Sequence, residues 1–263
     1  MVLRFAARRV LLMLAAILLV AGCERLRAET LPPSFDIIAR FPHDSNAYTQ
    51  GLVFEDGALY ESTGRYGYSD LRRVDLRTGR VRKSVALPDN RFGEGLALLD
   101  GRLYLLTWES RVAYVYDAGT LAQVDSFTYA GEGWGLTADG TSLIMSDGSD
   151  SLRFLSPKTG AVERVLHVTR DRSPLSKLNE LEYVDGELLA NVYESDWLAR
   201  IDPSTGVVRE LVDLADLYPR RKRRDADDVM NGIARGPVAG TLLVTGKMWP
   251  TLYHIRLRTP AAR

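Results

Sequence analysis

The hydrophobic and polar positions of this chain repeat five times along its length. In each copy a short apolar run breaks at a glycine turn and resumes as a second run, and the first four copies later reach a turn of the Thr-Gly type. The first residues of successive copies are 44, 40, 45 and 52 positions apart. A period of about 40 to 50 residues with several short strands is typical of a β-propeller, so the pattern predicts an all-β, five-bladed ring. The copies begin at Gln50-Gly51-Leu52, Glu94-Gly95-Leu96, Trp134-Gly135-Leu136, Asn179-Glu180-Leu181 and Asn231-Gly232-Ile233.

Turn residues divide each copy into strands. Asp-Gly pairs predict a hairpin between the first two runs of four copies, and the fifth copy has a longer turn that ends at Gly240. The final run, Leu252 to Leu257, has no complete copy after it, and Phe35 to Phe41 could supply the strand that closes the ring. The one candidate for an amphipathic helix is Leu211 to Arg221. The Asp-Gly pairs are Asp56-Gly57, Asp100-Gly101, Asp139-Gly140 and Asp185-Gly186.

The N-terminal residues have the features of an export signal followed by a tether. Arginines precede an apolar stretch, Val10 to Ala21, that is too short to span a bilayer comfortably. The stretch ends at Val20-Ala21-Gly22-Cys23, which resembles a bacterial lipobox. We therefore expect a lipoprotein signal peptide over 1–22, lipidation of Cys23, a tether over 23–34 and a propeller domain over 35–263, anchored on the periplasmic side of the envelope. Arg8-Arg9 also permits a twin-arginine signal, and a lone cysteine could instead be a buried small hydrophobe.

Composition and charge narrow the classes of partner. The chain has 34 basic and 34 acidic residues, and loss of the three arginines in 1–22 would leave 31 basic and 34 acidic. Such a domain has no electrostatic reason to bind nucleic acid. Cys23 is the only cysteine, so the domain must be stable without disulfides, and a closed ring favours a monomer. The basic run Arg220 to Arg224 could contact anionic lipid, but the acidic residues after it favour a solvated loop.

Counting from the hairpin turns places two sets of residues at one mouth of the ring, because residues equidistant from a turn face each other across an antiparallel pair. The two sets contain two carboxylates, one lysine, three amides and three large aromatic residues, where buried strand ends would be aliphatic. This chemistry is typical of a pocket for a small polar ligand, although a water-filled channel is the alternative. The sets are Gln50, Glu94, Trp134, Asn179 and Asn231, and Gly64, Trp108, Asp147, Tyr193 and Lys247.

Other chemistries lack a motif. His43, His167 and His254 do not have the spacing of zinc ligands. The chain has no Gly-x-Ser-x-Gly elbow, Walker loop or dinucleotide fingerprint. The Asp-Gly pairs lie at predicted hairpins and lack the acid-rich loop that calcium needs. We therefore predict no metal and no cofactor.

Six motifs follow one another in order between residues 35 and 257. They are Phe41-Pro42-His43-Asp44 with Tyr48-Thr49-Gln50-Gly51-Leu52, Phe92-Gly93-Glu94-Gly95-Leu96, Gly133-Trp134-Gly135-Leu136, Leu178-Asn179-Glu180-Leu181-Glu182, Asn231-Gly232-Ile233-Ala234 and Thr245-Gly246-Lys247-Met248-Trp249-Pro250. Together they resemble the plant-type glutaminyl cyclases, or glutamine cyclotransferases. The resemblance implies a five-bladed propeller that converts the N-terminal glutamine of a peptide or protein to pyroglutamate and releases ammonia. It also implies independence from zinc, which the animal-type enzymes require.

The same resemblance assigns roles to individual residues. Glu94 corresponds to the catalytic acid/base of the family. Tyr193 is a departure, because many family members have tryptophan at this position. We predict catalytic roles for Glu94, Lys247 and Asn179, and substrate-binding roles for Gln50, Trp108, Trp134, Tyr193, Asn231 and Asp147.

The reaction explains the need for these residue types. The α-amine must be neutral to attack the side-chain amide carbon, and the amide nitrogen must leave as ammonia, so one carboxylate can accept a proton and later return it. Two alternatives stay open: a non-catalytic, lipid-anchored scaffold of the cell envelope, and a metal-dependent lactonase-like propeller. The lactonase would need several channel carboxylates, and here Glu94 and Asp147 have only Glu182 nearby.

Overall fold

The computed structural model describes residues 34–224 and 226–258. The predicted signal segment, Cys23 and the predicted tether up to residue 33 lie outside the described residues. Across the described ranges, no helix is both long enough and apolar enough to cross a membrane. The same ranges contain β-strands and one short 3-10 turn, Arg220–Lys222, without an α-helix. The predicted all-β class is confirmed.

In the described part of the chain, the strands form five four-stranded antiparallel sheets and one two-stranded hairpin. A single strand, β1 (Phe35–Pro42), comes before the first blade. Blade 1 comprises β2 (Thr49–Glu55), β3 (Ala58–Thr63), β4 (Asp70–Val74) and β5 (Val81–Ala86). Blade 2 comprises β6 (Gly93–Leu99), β7 (Arg102–Thr107), β8 (Val112–Asp117) and β9 (Gln123–Thr128). Blade 3 comprises β10 (Leu136–Ala138), β11 (Leu143–Met145), β12 (Ser151–Leu155) and β13 (Val162–His167). The hairpin is β14 (Thr169–Arg170) and β15 (Ser173–Pro174). Blade 4 comprises β16 (Leu178–Val184), β17 (Glu187–Val192), β18 (Trp197–Ile201) and β19 (Val208–Asp213). The last strands are β20 (Met230–Arg235), β21 (Leu242–Gly246) and β22 (Thr251–Leu257).

The ring closes by pairing the first described strand with the last. β1 pairs antiparallel with β22, from Phe35 opposite Leu257 to Pro42 opposite Thr251. Blade 5 therefore consists of β20, β21, β22 and β1, in that order from the channel outward. The inner strands β2, β6, β10, β16 and β20 contact one another in ring order, and β20 contacts β2. The predicted five-bladed propeller and the closing role of Phe35 to Phe41 are both confirmed.

Hydrophobic side chains fill the spaces between neighbouring blades. Each of five buried clusters joins one blade to the next. Between blades 5 and 1, for example, Leu52 and Leu59 pack against Leu243 and Leu252. Because a blade has no core of its own, burial of apolar area holds the blades in a ring and leaves the channel free for polar residues.

The predicted Thr-Gly turns connect the third and fourth strands of a blade. The carboxylates of Asp75, Asp117 and Asp202 accept the backbone N–H of the threonine three residues later. The fourth strands that follow are largely exposed, as in β5 and β9. Exposed outer strands carry little hydrophobic alternation, which is why the fourth strand of a blade gives no clear apolar run in the sequence.

The predicted helix over Leu211 to Arg221 does not form. Leu211 pairs with Ala199 and Val212 with Leu198, so the segment begins as the end of β19. Val212 and Leu214 are buried in the cluster between blades 4 and 5. Tertiary packing thus overrides the weak helical periodicity of this segment.

Four of the five inner strands, all except β10, share a pairing irregularity at the end opposite the hairpin turns. In β2 the register shifts between Thr49 and Gly51, and in β6 it shifts between Gly93 and Leu96. β16 and β20 show the same shift, each with one extra residue on the inner strand. Bulges of this kind turn a side chain away from the regular pleat. Here the extra residues coincide with the predicted ring of Gln50, Glu94, Asn179 and Asn231.

Candidate functional site

A pocket of about 380 Å³ opens at the end of the channel opposite the Asp-Gly turns. Seven of the nine predicted site residues line it, together with two aromatic residues that were not predicted. This arrangement brings one carboxylate, one lysine and two amides into an otherwise aromatic cavity, as is common in sites for small polar ligands. The lining residues are Tyr48, Gln50, Phe92, Glu94, Trp108, Trp134, Asn179, Tyr193 and Lys247.

Glu94 is the carboxyl among the residues that line the pocket. The residue is 5% exposed and sits at the bulge of β6. Burial raises the pKa of its carboxyl well above the ordinary 4.5, the Lys247 charge opposes this rise, and the Glu132 charge adds to it. A carboxyl with a raised pKa is a stronger base when ionised and an acid that is still protonated nearer neutrality.

Lys247 provides the positive charge of the pocket. Burial lowers the pKa of its amine to about 8, and the charges of Glu94 and Asp227 limit this decrease. Its Nζ lies 4.5 Å from the Tyr48 ring centroid and 5.1 Å from that of Tyr193. The electron-rich ring faces stabilise the ammonium without neutralising it. Lys247 therefore remains available to a developing negative charge on a ligand.

Glu132 was not predicted, yet it joins two walls of the pocket. Its Oε2 accepts the indole N–H of Trp108 at 2.8 Å and that of Trp134 at 3.1 Å. One carboxylate oxygen thus sets the orientation of both tryptophans, and charge-assisted hydrogen bonds of this type are stronger than neutral ones. The sequence signal for Glu132 was weak, because it lies in the loop before β10, outside both rings.

Tyr48 and Phe92 are the two unpredicted lining residues. Phe92 packs edge-on against Tyr48 and Trp108, with ring centroids 6.2 and 5.7 Å away. It occupies space that Gly64 leaves open, since a Cβ at Gly64 would lie 2.2 Å from the Phe92 ring. Both residues are within the motifs around Gln50 and Glu94, which was the signal that could have identified them.

Gln50 and Asn231 act together, but only Gln50 lines the pocket. The Nδ2 group of Asn231 donates to the backbone oxygen of Thr49 at 2.9 Å and to Oε1 of Gln50 at 3.2 Å. This contact occupies the Gln50 carbonyl oxygen, so the amide N–H groups are the part of Gln50 that is suited to donate to a ligand. The structure therefore places Asn231, predicted to bind substrate, behind Gln50 as a residue that orients it.

Asn179 lines the pocket and contributes a buried side-chain acceptor. Its Oδ1 is buried, and no donor among the described residues reaches it. Its backbone oxygen accepts the Ser146 hydroxyl at 2.7 Å, which fixes the chain at this point. A buried acceptor without a partner is destabilising by about 1–3 kcal/mol, so Oδ1 is suited to accept an N–H of a ligand.

Asp147 is the predicted site residue that the structure places elsewhere. Its carboxylate pairs with Arg153 at 2.6 Å and accepts the Ser149 hydroxyl at 2.5 Å. These bonds direct the Asp147 carboxylate away from the cavity. Beside it, the Trp134 ring lies over Gly148 and lines the cavity. Position in the repeat predicted the correct end of the blade but not the direction of this side chain.

A larger cavity, of about 600 Å³, lies at the opposite, hairpin end of the channel. Glu182 lies on its wall, where it accepts the Arg235 backbone N–H at 2.7 Å, and burial raises the pKa of its carboxyl to about 7. We place the functional site at the smaller cavity, because among the described residues its lining combines a buried carboxyl, a buried lysine and an amide whose Oδ1 has no partner. Within residues 34–224 and 226–258, no three His, Cys, Asp or Glu side chains form a cluster of the metal-binding kind.

Comparison with known proteins gives consistent matches, each over most of the chain. A family model described as glutamine cyclotransferase matches residues 10–257. A glutaminyl-peptide cyclotransferase of Arabidopsis thaliana is 40% identical over 232 residues, which are 87% of this chain and 72% of that protein. The crystal structure of Myxococcus xanthus glutaminyl cyclase has a TM-score of 0.80 and 36% sequence identity, covering 86% of this chain and 99% of that one.

Proposed function

The chain belongs to the glutamine cyclotransferase family of enzymes, and from that premise we propose that it cyclises the N-terminal glutamine of peptides or proteins, with Glu94 as the general acid/base. The observation that carries the assignment of Glu94 is its position: a buried carboxyl with a raised pKa on the wall of an aromatic pocket that also contains Lys247. The larger hairpin-end cavity has no equivalent combination of groups.

The pocket binds the first residue of the substrate in a folded shape. The rings of Trp108, Trp134 and Tyr193 enclose its aliphatic part, and Asn179 Oδ1 accepts one of its N–H groups. Holding the α-amine next to the side-chain amide carbon lowers the activation barrier, because the flexible residue otherwise adopts this folded conformation rarely. Because Glu132 fixes both tryptophans, the shape of the cavity is largely set before the substrate binds.

Proton transfer by Glu94 then drives both halves of the reaction. The ionised carboxylate accepts a proton as the α-amine nitrogen forms a bond to the side-chain amide carbon. The carbonyl π electrons move to the amide oxygen, where the Lys247 ammonium and the Gln50 amide N–H groups stabilise the charge. The protonated Glu94 next donates to the amide nitrogen, the carbon–nitrogen bond breaks, and ammonia leaves. The products are pyroglutamyl peptide and ammonia, and Glu94 is again ionised.

Substitution of Glu94 by glutamine tests this role. Glu94→Gln keeps the shape of the side chain and removes its proton transfer, so we expect ammonia release from a Gln-initiated peptide to fall by about 10²- to 10⁴-fold. The thermal midpoint should not fall, because an amide is easier to bury than a carboxylate. The matched control is Glu163→Gln, at an exposed position on β13, which should keep full turnover.

Two outcomes would contradict the proposal in different ways. A purified Glu94→Gln protein with more than about a tenth of wild-type turnover would show that another group transfers the proton. A wild-type protein that releases no ammonia and does not lower the mass of a Gln-initiated peptide would favour the non-catalytic scaffold. Activity that disappears with chelator and returns only with zinc would favour a metal-dependent reaction.

We also propose that the enzyme acts as a monomer on the periplasmic side of the envelope, anchored through a lipid on Cys23. The support is the lipobox-like Val20-Ala21-Gly22-Cys23 after an apolar segment. Expression with a radiolabelled fatty acid should label the wild-type chain and leave Cys23→Ala unlabelled. Release of the unmodified wild-type protein as a soluble species would contradict the anchor.

A further inference from the structure

Beside the pocket mouth, the loop between β3 and β4 presents two exposed tyrosines. Tyr66 and Tyr68 are 49% and 82% exposed, although aromatic side chains are on average mostly buried. The Tyr66 ring packs edge-on against Phe92 with centroids 5.4 Å apart, and Phe92 packs against Trp108 at 5.7 Å. Since Phe92 and Trp108 line the pocket, a continuous row of rings runs from its wall to the surface.

Hydrogen bonds to blade 2 hold this loop in one shape. The Gly67 N–H donates to the backbone oxygen of Asp89 at 2.9 Å, in the segment before β6. The Ser69 hydroxyl donates to the Arg65 oxygen at 2.8 Å and accepts the Gly93 N–H at 3.0 Å. Tyr66 is therefore exposed on a loop that is already ordered. Binding of a ligand against it costs little additional conformational entropy of the loop.

The course of a peptide substrate explains an aromatic surface at this place. Cyclisation uses the amine and side chain of the first residue only, and both must reach Glu94 inside the pocket. The remainder of the peptide must leave through the mouth and lie on the surface around it. The Phe92–Tyr66 edge is continuous with the pocket wall, so the side chain of the second residue can pack on it.

We propose that Tyr66 forms a subsite for the residue that follows the N-terminal glutamine and favours an aromatic or bulky apolar side chain there. This inference rests on the proposed cyclase activity and adds a preference for the second residue. Offset and edge-on aromatic contacts stabilise beyond simple area burial. A phenylalanine at the second position of the peptide would make such contacts with Tyr66, whereas a glycine at that position would not.

Two peptides that differ only at the second residue test the subsite. With Gln-Phe-Gly-amide and Gln-Gly-Gly-amide, we expect the wild-type kcat/KM to be higher for the phenylalanine peptide. Tyr66→Ala should lower kcat/KM for that peptide by about 3- to 10-fold and leave the glycine peptide unchanged. Tyr66→Phe, which keeps the ring, should retain the preference. Val238→Ala is the control, since Val238 is similarly exposed in the turn between β20 and β21, at the hairpin end.

The outcomes separate the subsite from the activity on which it rests. Turnover of both peptides with no effect of Tyr66→Ala, or an equal loss for both peptides, would overturn the subsite and leave the cyclase assignment standing. Absence of wild-type turnover on both peptides would overturn both proposals. A thermal midpoint of Tyr66→Ala equal to that of wild type, with selective loss on the phenylalanine peptide, would support the subsite.

Discussion

At the scale of residues, the site depends on side chains that orient other side chains. Asn231 orients the Gln50 amide, and Glu132 orients Trp108 and Trp134. Neither Asn231 nor Glu132 is on the pocket lining. The family motifs include Asn231 but not Glu132, and they do not reveal that Asn231 orients Gln50, because a motif records the residue type and not the direction of its side chain.

Glu132→Gln should change the pH dependence of the enzyme. The negative charge of Glu132 raises the pKa of Glu94, so its removal lowers that pKa. Because Glu94 must be ionised to accept a proton, the acidic limb of the kcat/KM profile should move to lower pH. Glu132→Ala also removes the acceptor for both indoles and should reduce kcat/KM by about 10-fold or more.

The control for Glu132 is the exposed Glu109, which follows Trp108 in sequence and does not line the pocket. Glu109→Gln should keep the wild-type profile. A Glu132→Gln enzyme with reduced activity but an unmoved acidic limb would show that Glu132 acts on the tryptophans alone and not on Glu94.

At the scale of elements, the closure of the ring includes a buried ion pair. His43, in the loop between β1 and β2, bonds Glu61 Oε1 on β3 at 2.9 Å and the Trp249 oxygen at 2.6 Å. The Thr49 hydroxyl donates to the same Glu61 oxygen at 2.7 Å. The His43 and Glu61 side chains are 3% and 2% exposed. Both imidazole nitrogens face acceptors, so the ring is held as an imidazolium that joins blade 1 to the loop after β21.

Breaking this pair should be destabilising, and the effect should depend on pH. Burial alone would lower the pKa of His43, but the charge and hydrogen bond of Glu61 raise it above 6.5. Burial would raise the pKa of Glu61, and His43 lowers it below 4.5. The His43 contribution is complete below pH 6.5 and is lost as pH rises through the raised value. Glu61→Gln should therefore reduce the free energy of unfolding by about 3–5 kcal/mol near pH 6, and by less near pH 9.

Urea unfolding at the two pH values measures this difference. The control is Glu194→Gln, which removes an exposed pair with Lys177 and should change stability by less than about 1 kcal/mol. A Glu61→Gln penalty that grows with pH would contradict an imidazolium at His43.

At the scale of the whole molecule, the fourth copy of the repeat connects the ring across its channel. In the second and third copies a glycine follows the ring residue because the next inner strand is very close: a Cβ on Gly95 would lie 2.3 Å from Leu136 N, and one on Gly135 1.9 Å from Asn179 O. The fourth copy has Glu180 there. Its two carboxyl oxygens accept the backbone N–H of Leu52 at 3.2 Å and of Ile233 at 2.8 Å. Blade 4 is thereby bonded to blades 1 and 5.

Glu180→Gln should weaken the closed ring. The amide keeps one acceptor oxygen but sets an NH₂ group against a backbone donor, so we expect a loss of about 1–3 kcal/mol in the free energy of unfolding. Glu163→Gln is again the exposed control. Burial raises the pKa of Glu180 well above 4.5, so the wild-type carboxyl itself becomes less favourable as pH rises from 4.5 toward that raised value. The penalty should accordingly be smaller at pH 8 than at pH 5; a penalty that increases with pH would contradict the assignment.

The sequence by itself determined the number of blades, their hairpins, the closing strand and the end of the channel where the polar residues gather. Those properties follow from periodicity and turn chemistry, which are local. Only the tertiary structure decided where side chains point: Asp147 toward Arg153, Asn231 behind Gln50, and Glu132 between two tryptophans. It also showed the bulges at which Gln50, Glu94 and Asn179 enter the pocket lining. A one-residue shift in pairing reverses the face of a side chain, and that shift depends on contacts between blades distant in sequence.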